Sequence, residues 1–255
     1  MKNHYLLTLV LFSLSLHAQL AQVPYKDGSQ KLGGLYAKPD KAAKGNAGVL
    51  ILPAWRGIDD HSKETATRLA KLGYHAFIAD IYGEGNYPQD NKQAGEKAGF
   101  YKKNYKDYQR RISLALQELI RAGANAEKVA IIGYCFGGTG ALEAARAGMP
   151  VQGVVSIHGG LGTEAGRKTE TIKTKILVCH GADDFFVPQE EITSFQKEMR
   201  DSKADWQMIY YADAVHAFTE PAAGNDKTKG TAYNEKAAKR SWEHMLVFFD
   251  EIFNR

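Results

Sequence analysis

Val129-Ala-Ile-Ile-Gly-Tyr-Cys-Phe-Gly-Gly138 joins an apolar run to a stretch of small residues near the middle of the chain. Its unbroken first half is typical of a β-strand that is covered on both faces, as the strands of parallel sheets are. The G-x-C-x-G pattern centred on Cys135 is typical of a sharp turn from strand to helix, where glycines let neighbouring backbone approach closely. The segment therefore predicts a parallel sheet that carries a cysteine at the carboxyl end of one strand.

Further apolar runs along the chain predict the other strands of this sheet. They span residues 48–53, 75–81, 151–158, 176–179 and 206–211, which makes six with the run before Cys135. An additional strand over residues 30–39, after Gly28 and Ser29, is expected to enter the sheet antiparallel. Helix-period segments alternate with these runs. This alternation predicts an α/β fold with a mostly parallel, doubly wound sheet flanked by helices.

Apolar residues at three- and four-residue intervals predict two of the flanking helices. One runs from Tyr108 to Ile120 and has Gly123 where a C-terminal cap is expected. The other runs from Ala238 to Phe253 and ends the domain. The 255 residues hold no internal repeat or low-complexity tract, and 44% of them are hydrophobic, so a single globular domain is expected.

Composition and charge narrow the range of partners. The chain has 33 basic and 29 acidic residues, a formal net charge of +4, and no basic cluster interleaved with aromatic residues. A nucleic-acid surface is therefore disfavoured, and a small molecule is the expected partner. The 2 cysteines are too few for a disulfide framework. These features leave the oligomeric state open.

The N-terminal residues 1–21 have the pattern of a secretory signal peptide. Lys2 supplies a positive start, an apolar run follows from Leu6 to Leu16, and a small residue, Ala18 or Ala21, offers the cleavage site. The run is shorter than the roughly 20 residues that a transmembrane helix needs. We therefore expect a leader at 1–21, a mature domain at 22–255, a periplasmic or secreted protein, and no membrane attachment once the leader is cleaved.

Cys135 is the candidate nucleophile. Its predicted position at a helix N-terminus favours thiolate over thiol, and the N–H of Phe136 is placed to donate to an oxyanion. A buried structural cysteine would not require glycine at positions 133, 137 and 138. Cys179 ends an apolar strand without such glycines, so we expect it to be an inert core thiol.

A cysteine nucleophile needs a base and a carboxylate that orients the base, and both occur later in the chain. Asp184 lies on a loop after a predicted strand and is the candidate carboxylate, with the adjacent Asp183 as its rival. His216 follows the last predicted strand and is the candidate base. The other histidines lack the paired spacing of a metal site, so we assign no metal; His61, His75 and His244 are expected to be structural, and His158 and His180 to lie near the site.

With these positions assigned, the chain from about Lys31 to Phe253 resembles the dienelactone hydrolase family of the α/β-hydrolase superfamily. The matching segments are Gly133–Gly138, Leu52–Gly57, Ala79–Gly83 and the loops that carry Asp184 and His216. The resemblance implies a Cys-Asp-His triad that hydrolyses carboxylic esters or lactones through an acyl-enzyme, without a cofactor. It also implies that the N–H of Trp55 is a second oxyanion donor beside that of Phe136, and that Tyr82 contacts the substrate.

The chain departs from the best-known members of that family at charged positions of the site. Ala54 stands where they carry a glutamate that helps to take the cysteine proton, so thiolate formation is expected to depend on His216 and the helix dipole. Glu84 and Glu220 stand where they carry arginines that hold the substrate carboxylate. This reversal favours a neutral or cationic ester over an anionic one, unless both acids lie on solvated loops. Arg56 compensates in part if it points inward.

Three other functions stay open beside that of a secreted cysteine-nucleophile hydrolase. Without the glutamate, the chain could be a noncatalytic binding protein that retains the fold, because a fold alone does not guarantee activity. It could also be an acyltransferase, in which an alcohol or amine replaces water, or a thioesterase. Hydrolysis of carboxylic esters or lactones is the expected function.

Overall fold

An eight-stranded sheet runs through the computed structural model, which describes residues 20–41, 45–164, 166–168 and 170–254. In chain order the strands are β1 Leu20–Asp27, β2 Gln30–Ala37, β3 Gly48–Leu52, β4 His75–Ile78, β5 Val129–Tyr134, β6 Gly153–Ile157, β7 Lys175–Gly181 and β8 Trp206–Tyr211. Their order across the sheet is β1-β2-β4-β3-β5-β6-β7-β8. β1 and β2 form an antiparallel hairpin, β2 pairs antiparallel with β4, and the other neighbours are parallel. The predicted mostly parallel sheet is therefore confirmed.

The described residues form six α-helices and two short 3-10 turns. The helices are α1 Asp60–Lys71, α2 Asn91–Lys103, α3 Tyr105–Arg121, α4 Phe136–Arg146, α5 Gln189–Asp201 and α6 Glu235–Phe253, and the turns are Pro221–Ala223 and Lys227–Lys229. Residues of α2 to α5 pack on one face of the sheet, and residues of α1 and α6 pack on the other. Both helices predicted from spacing are present, and Gly123, with a φ of 116°, follows α3 as expected. In this part of the chain, none of the helices has the length and apolar character needed to cross a membrane.

β1 is the strand that the sequence analysis did not predict. Its residues are mostly exposed or half-buried, so no apolar run marks it. The hairpin pairs Leu20 with Ala37 and Ala21 with Tyr36, so the last two residues assigned to the leader lie in the sheet. The rest of the predicted leader lies outside the described residues.

The central strands bring the functional loops to one edge of the sheet. Every residue of β3, β5 and β6 is buried, as the unbroken apolar runs predicted. The carboxyl ends of parallel strands lie at the same edge of a sheet, where ligands bind in α/β folds. The segments that follow β3, β5, β7 and β8 carry Trp55, Cys135, Asp184 and His216, respectively. The topology therefore collects these four residues at one edge.

Candidate active site

Cys135 occupies a strained turn between β5 and α4. Its φ of 53° and ψ of −114° are unfavourable for a residue with a side chain, and such strain costs about 1–3 kcal/mol. The turn is so tight that a Cβ at Gly133 would lie 1.9 Å from the carbonyl oxygen of Gly137. A Cβ at Gly137 would lie 2.0 Å from the carbonyl oxygen of Leu52. The glycines on either side of Cys135 are therefore sterically required.

The backbone N–H of Cys135 is shared between two acceptors at the end of β6. It donates to the carbonyl oxygen of Ile157 at 3.0 Å and to Nδ1 of His158 at 3.1 Å. Because an amide N–H only donates, Nδ1 carries no proton, and the neutral ring holds its proton on Nε2. Nε2 lies 2.8 Å from Oγ1 of Thr219 and donates to it. His158, which is fully buried and has a positive φ of 40°, thus braces the strained cysteine.

This brace depends on a neutral His158. Burial holds the pKa of the imidazole well below its ordinary value, and the neighbouring His216 and His61 lower it further. The ring therefore keeps its acceptor nitrogen at neutral pH. Thr219 continues the hydrogen-bond chain to Nε2 of His61, 3.4 Å from Oγ1. His158 was expected near the site but without a role, and its position directly after a buried strand was the available signal for one.

His216 and Asp184 form a hydrogen-bonded pair beside Cys135. Nδ1 of His216 lies 2.8 Å from Oδ2 of Asp184, whose side chain is completely buried. The other carboxylate oxygen of Asp184 accepts the N–H of Phe186 at 3.1 Å. Asp183 is exposed, so the structure pairs His216 with Asp184 rather than with its neighbour.

The surroundings of His216 favour its protonated form. Burial lowers the pKa of the imidazole, but hydrogen bonds with Asp184 and Cys135, together with their charges, outweigh burial and raise the pKa to about 10. An imidazolium beside the cysteine sulfur is therefore favoured at neutral pH. A neighbouring cation supports the thiolate, which is the reactive form of cysteine.

Phe136 and Trp55, the candidate oxyanion donors, are both held firmly. Phe136 is the first residue of α4, where helix N–H groups have no partner within the helix. Its ring is stacked on that of Tyr108, with centroids 4.5 Å apart, and its carbonyl oxygen accepts the Tyr108 hydroxyl at 3.0 Å. Tyr82 is buried and donates its hydroxyl to the carbonyl oxygen of Trp55 at 2.7 Å. Fixed N–H donors of this kind suit an oxygen that becomes negative during a reaction.

The charged candidates for substrate binding lie at different depths. Arg56 is exposed and hydrogen-bonded to the start of α2, and Glu84 is exposed on the loop after β4. Glu220 lies close enough to His216 for the charge of the imidazole to lower its pKa. Its buried Oε1 has no hydrogen-bond partner among the described residues. Burial and the charge of Asp59 raise the pKa of Glu220 to about 7, against the opposing effect of His216. Of the three, the structure thus brings Glu220 near His216.

The remaining histidines and the second cysteine have structural surroundings. His75 and His244 share hydrogen bonds with tyrosine hydroxyls at 2.7 and 2.9 Å, and His180 is buried against a tyrosine ring. Cys179 is fully buried, which raises the pKa of its thiol to about 12. In the described ranges of the chain, no group of three or more His, Cys, Asp or Glu side chains could hold a metal ion.

Comparison with known proteins identifies the family of this chain. The dienelactone hydrolase family matches residues 32–253. The crystal structure of a dienelactone hydrolase-like promiscuous phosphotriesterase from metagenomic libraries is similar, with a TM-score of 0.85 and 37% identity, over 92% of this chain and 98% of that one. A carboxymethylenebutenolidase-like protein of Yersinia pestis is 25% identical over 94% of this chain and 92% of its own length. The chain therefore belongs to the dienelactone hydrolase family and is a hydrolase with the α/β-hydrolase fold.

Proposed function

We propose that this protein hydrolyses carboxylic esters or lactones through an acyl-enzyme formed on Cys135. The observation that carries the proposal is the hydrogen-bonded arrangement of Cys135, His216 and Asp184 at the carboxyl edge of the sheet. The strained turn presents the sulfur, and His216, whose pKa is raised to about 10, lies within hydrogen-bond reach of it. Membership of the dienelactone hydrolase family supports the same chemistry.

In the first half of the proposed reaction, the Cys135 thiolate attacks the acyl carbonyl carbon. The N–H groups of Phe136 and Trp55 stabilise the negative oxygen of the tetrahedral intermediate, and a donor of this kind contributes about 3–4 kcal/mol in other hydrolases. When the intermediate collapses, the bond to the alcohol oxygen breaks, and the His216 imidazolium gives its proton to that oxygen. The acyl group is then a thioester of Cys135.

In the second half, neutral His216 takes a proton from water as the water oxygen attacks the thioester carbon. The bond to sulfur then breaks, which releases the carboxylic acid and restores the thiolate and the imidazolium. Asp184 holds Nδ1 of the ring throughout, so that Nε2 faces the reacting atoms. Amides are poorer substrates, because an amine leaves only after firm protonation.

The side chain of Ala54 is not available as an acceptor of the thiol proton. It is buried, with 6% exposure, and contains no proton acceptor. The proposal therefore assigns the proton to His216, with Asp184 stabilising the resulting imidazolium. Thiolate formation then needs no glutamate at this position.

We assign neutral or cationic esters as the substrate class. Glu220 lies near His216, so once it ionises it repels a substrate carboxylate at the site. Glu84 is exposed, and the solvent screens its charge. Arg56 is exposed as well and offers no buried counter-charge for an anionic substrate.

An ester and lactone panel with wild type, Cys135→Ala, His216→Ala and Cys179→Ala tests the proposal. We expect hydrolysis to fall by about a thousandfold or more in the first two variants. Cys179→Ala is the matched control and is expected to retain the wild-type rate, because this thiol is buried in the core. Intact-mass detection of an acyl adduct on Cys135 would identify the acyl group. Equal rates for wild type and Cys135→Ala would refute the triad.

Hydrolysis of phosphotriesters is a second candidate activity. The structural relative that is 37% identical over 92% of this chain is described as a promiscuous phosphotriesterase. In this reaction the Cys135 thiolate would attack phosphorus, the bond to the aryloxide would break, and the His216 imidazolium would protonate the aryloxide. Water, giving a proton to neutral His216, would then attack phosphorus and break its bond to sulfur, which would release the dialkyl phosphate and restore the thiolate. A dialkyl aryl phosphate added to the panel tests it by release of the phenol. Absence of phenol release from wild type would exclude this activity.

We propose further that the protein acts after export, in the periplasm or outside the cell. Lys2 and the apolar run Leu6–Leu16 support this placement. Cleavage after Ala18 would leave β1 whole, whereas cleavage after Ala21 would remove its first two residues, so we favour Ala18. The mass of the protein recovered from an exporting host tests both points. A full-length mass in the cytoplasmic fraction would contradict export.

A further inference from the structure

Phe185 and Phe186 form an exposed aromatic pair directly after Asp184. Their exposed fractions are 63% and 54%, which are high for phenylalanine. The two rings contact each other, with centroids 4.8 Å apart. Adjacent apolar rings that remain in water mark a surface to which an apolar group binds.

This aromatic pair contacts both His216 and Asp184 of the candidate triad. The ring of Phe186 meets the ring of His216 at 86°, with centroids 5.6 Å apart. The backbone N–H of Phe186 donates to Oδ1 of Asp184 at 3.1 Å. The position of the pair is therefore fixed relative to His216.

The loop around Gly230 packs against both rings of the pair. A Cβ at Gly230 would lie 2.5 Å from the ring of Phe185 and 2.8 Å from the ring of Phe186, so the backbone of this loop packs directly on both rings. The next residue, Thr231, pairs with His216 through the backbone. The pair thus lies between His216 and the loop around Gly230, and the rest of its ring surface faces solvent.

We propose that Phe185 and Phe186 bind the alcohol portion of the ester, and that this portion is uncharged and apolar, with an aromatic ring as the best fit. The inference rests on the proposed function. His216 gives its proton to the oxygen of the leaving alcohol, so the alcohol leaves on the His216 side of the sulfur. Phe186 flanks that side, and for this reason the pair is assigned to the alcohol and not to the acyl group.

The charges near the pair favour an uncharged group. On the adjoining loop, Lys227 is paired with Asp213, and Lys229 is paired with Asp226. Each ion pair is neutral in itself, so these side chains present no net charge to an ionised alcohol. Aromatic rings, in contrast, pack favourably on phenylalanine in offset or edge-to-face arrangements.

The test compares three esters that differ in one portion at a time: ethyl acetate, benzyl acetate and ethyl phenylacetate. Phe185→Ser is the main variant, because Phe185 contacts Phe186 rather than His216. Val247→Ser on α6 is the matched control, since Val247 is also an exposed apolar residue, with 68% exposure. We expect Phe185→Ser to lower kcat/KM for benzyl acetate about tenfold and to change the other two esters less than about twofold. Phe185→Tyr should restore the rate with benzyl acetate, and Val247→Ser should change none of them.

Several outcomes would overturn this inference. An unchanged ratio of benzyl acetate to ethyl acetate in Phe185→Ser would overturn it while leaving the proposed hydrolysis intact. A loss confined to ethyl phenylacetate would assign the pair to the acyl group instead. A wild-type dimer that Phe185→Ser dissociates in sedimentation, with unchanged selectivity, would make the pair an interface between copies. A wild type without Cys135-dependent hydrolysis of any of the three esters would refute the proposed function, and the inference with it.

Discussion

Replacement of His158 tests whether a neutral imidazole holds the nucleophile in place. His158→Leu removes two hydrogen bonds, the one from Cys135 N–H at 3.1 Å and the one to Thr219 Oγ1 at 2.8 Å. His158→Asn retains the first, because Oδ1 of asparagine stands at the same branch of the side chain as Nδ1 of histidine. Asparagine also tolerates the positive φ of 40° better than other residues with a side chain do.

The contacts of His158 set the size of the effect on stability. In His158→Leu, the Cys135 N–H keeps Ile157 as an acceptor and Thr219 keeps His61 as a partner, so no buried group is left unpaired. Two hydrogen bonds at about 0.5–1.5 kcal/mol each then give a loss of about 1–3 kcal/mol in the free energy of unfolding. His158→Asn loses one bond and leaves a small void, for a similar total of about 1–3 kcal/mol. Stability alone therefore does not separate the two variants.

The reactivity of Cys135 does separate them. Without the imidazole, the Cys135 N–H loses one of the two acceptors that hold it at its strained φ, and a small displacement of a nucleophile costs about tenfold to a hundredfold in rate. We expect iodoacetamide alkylation and ester hydrolysis to fall by that amount in His158→Leu, and by less than about threefold in His158→Asn. His75→Leu is the matched control, because His75 is also buried and hydrogen-bonded, but lies at the start of β4. It should lose stability and keep the alkylation rate.

Two results would contradict this reasoning. A wild-type alkylation rate in His158→Leu would show that the imidazole does not position the cysteine. Equal losses in His158→Leu and His158→Asn would show that packing of the ring, rather than its acceptor nitrogen, is what the site requires. Cys179 does not contribute to the measured alkylation, because its thiol is buried, has a pKa of about 12 and reacts slowly with iodoacetamide.

Three further changes have defined outcomes. Gly137→Ala places a Cβ 2.0 Å from a backbone oxygen, so we expect urea denaturation to show a loss of about 3 kcal/mol or more, with hydrolysis abolished; a variant with wild-type stability would contradict the close packing. Burial lowers the pKa of His216, and the hydrogen bond to Asp184 is the strongest of the effects that nevertheless raise it to about 10. Asp184→Asn removes the carboxylate that makes this bond. Because the leaving alcohol of the proposed reaction needs protonated His216, the alkaline limb of kcat should move toward neutral pH, and an unmoved limb would assign it to another group. Glu220 has a folded-state pKa of about 7, above its ordinary value of 4.5, so wild type should lose about 1–3 kcal/mol as the pH rises through this window. Glu220→Gln should match the Tm of wild type in acid and exceed it at mildly alkaline pH, and equal values at both would place Glu220 in solvent.

Burial marks the central strands that the sequence predicted, whereas β8 was predicted from its sequence although it lies at the edge of the sheet and most of its residues are exposed or half-buried. β3 and β5 are covered on both faces, so every residue is apolar or glycine, apart from the tyrosine that ends β5, and the runs stand out. β1 lies at the edge of the sheet and buries Tyr25 but leaves its other residues exposed or half-buried. A strand stabilised mainly by backbone pairing with its neighbour leaves little trace in hydrophobicity. Its first two residues, Leu20 and Ala21, were also assigned to the predicted leader, which concealed where the strand begins.

The same distinction applies to the site. The requirement for Gly133 and Gly137 can be predicted from the sequence, because both lie two residues from Cys135 and form the G-x-C-x-G pattern. His158 lies 23 residues from Cys135, and their contact exists because β5 pairs with β6. The direction in which a loop side chain points is also a tertiary property. Arg56 follows the expected strand, yet it is exposed and bonded to α2, which no local pattern indicates.

The alanine at position 54 fits a site in which the thiol proton already has an acceptor. A Cβ at Gly137 would lie 2.7 Å from the carbonyl oxygen of Pro53, so the backbone that enters position 54 runs directly beside the turn of Cys135. An ionised glutamate there would disfavour a thiolate, since like charges raise the pKa of an acid. In the proposed mechanism, His216, whose pKa is raised to about 10, accepts the proton of the cysteine. Under this proposal, the alanine at position 54 leaves His216 as the proton acceptor, and the missing glutamate is compatible with catalysis.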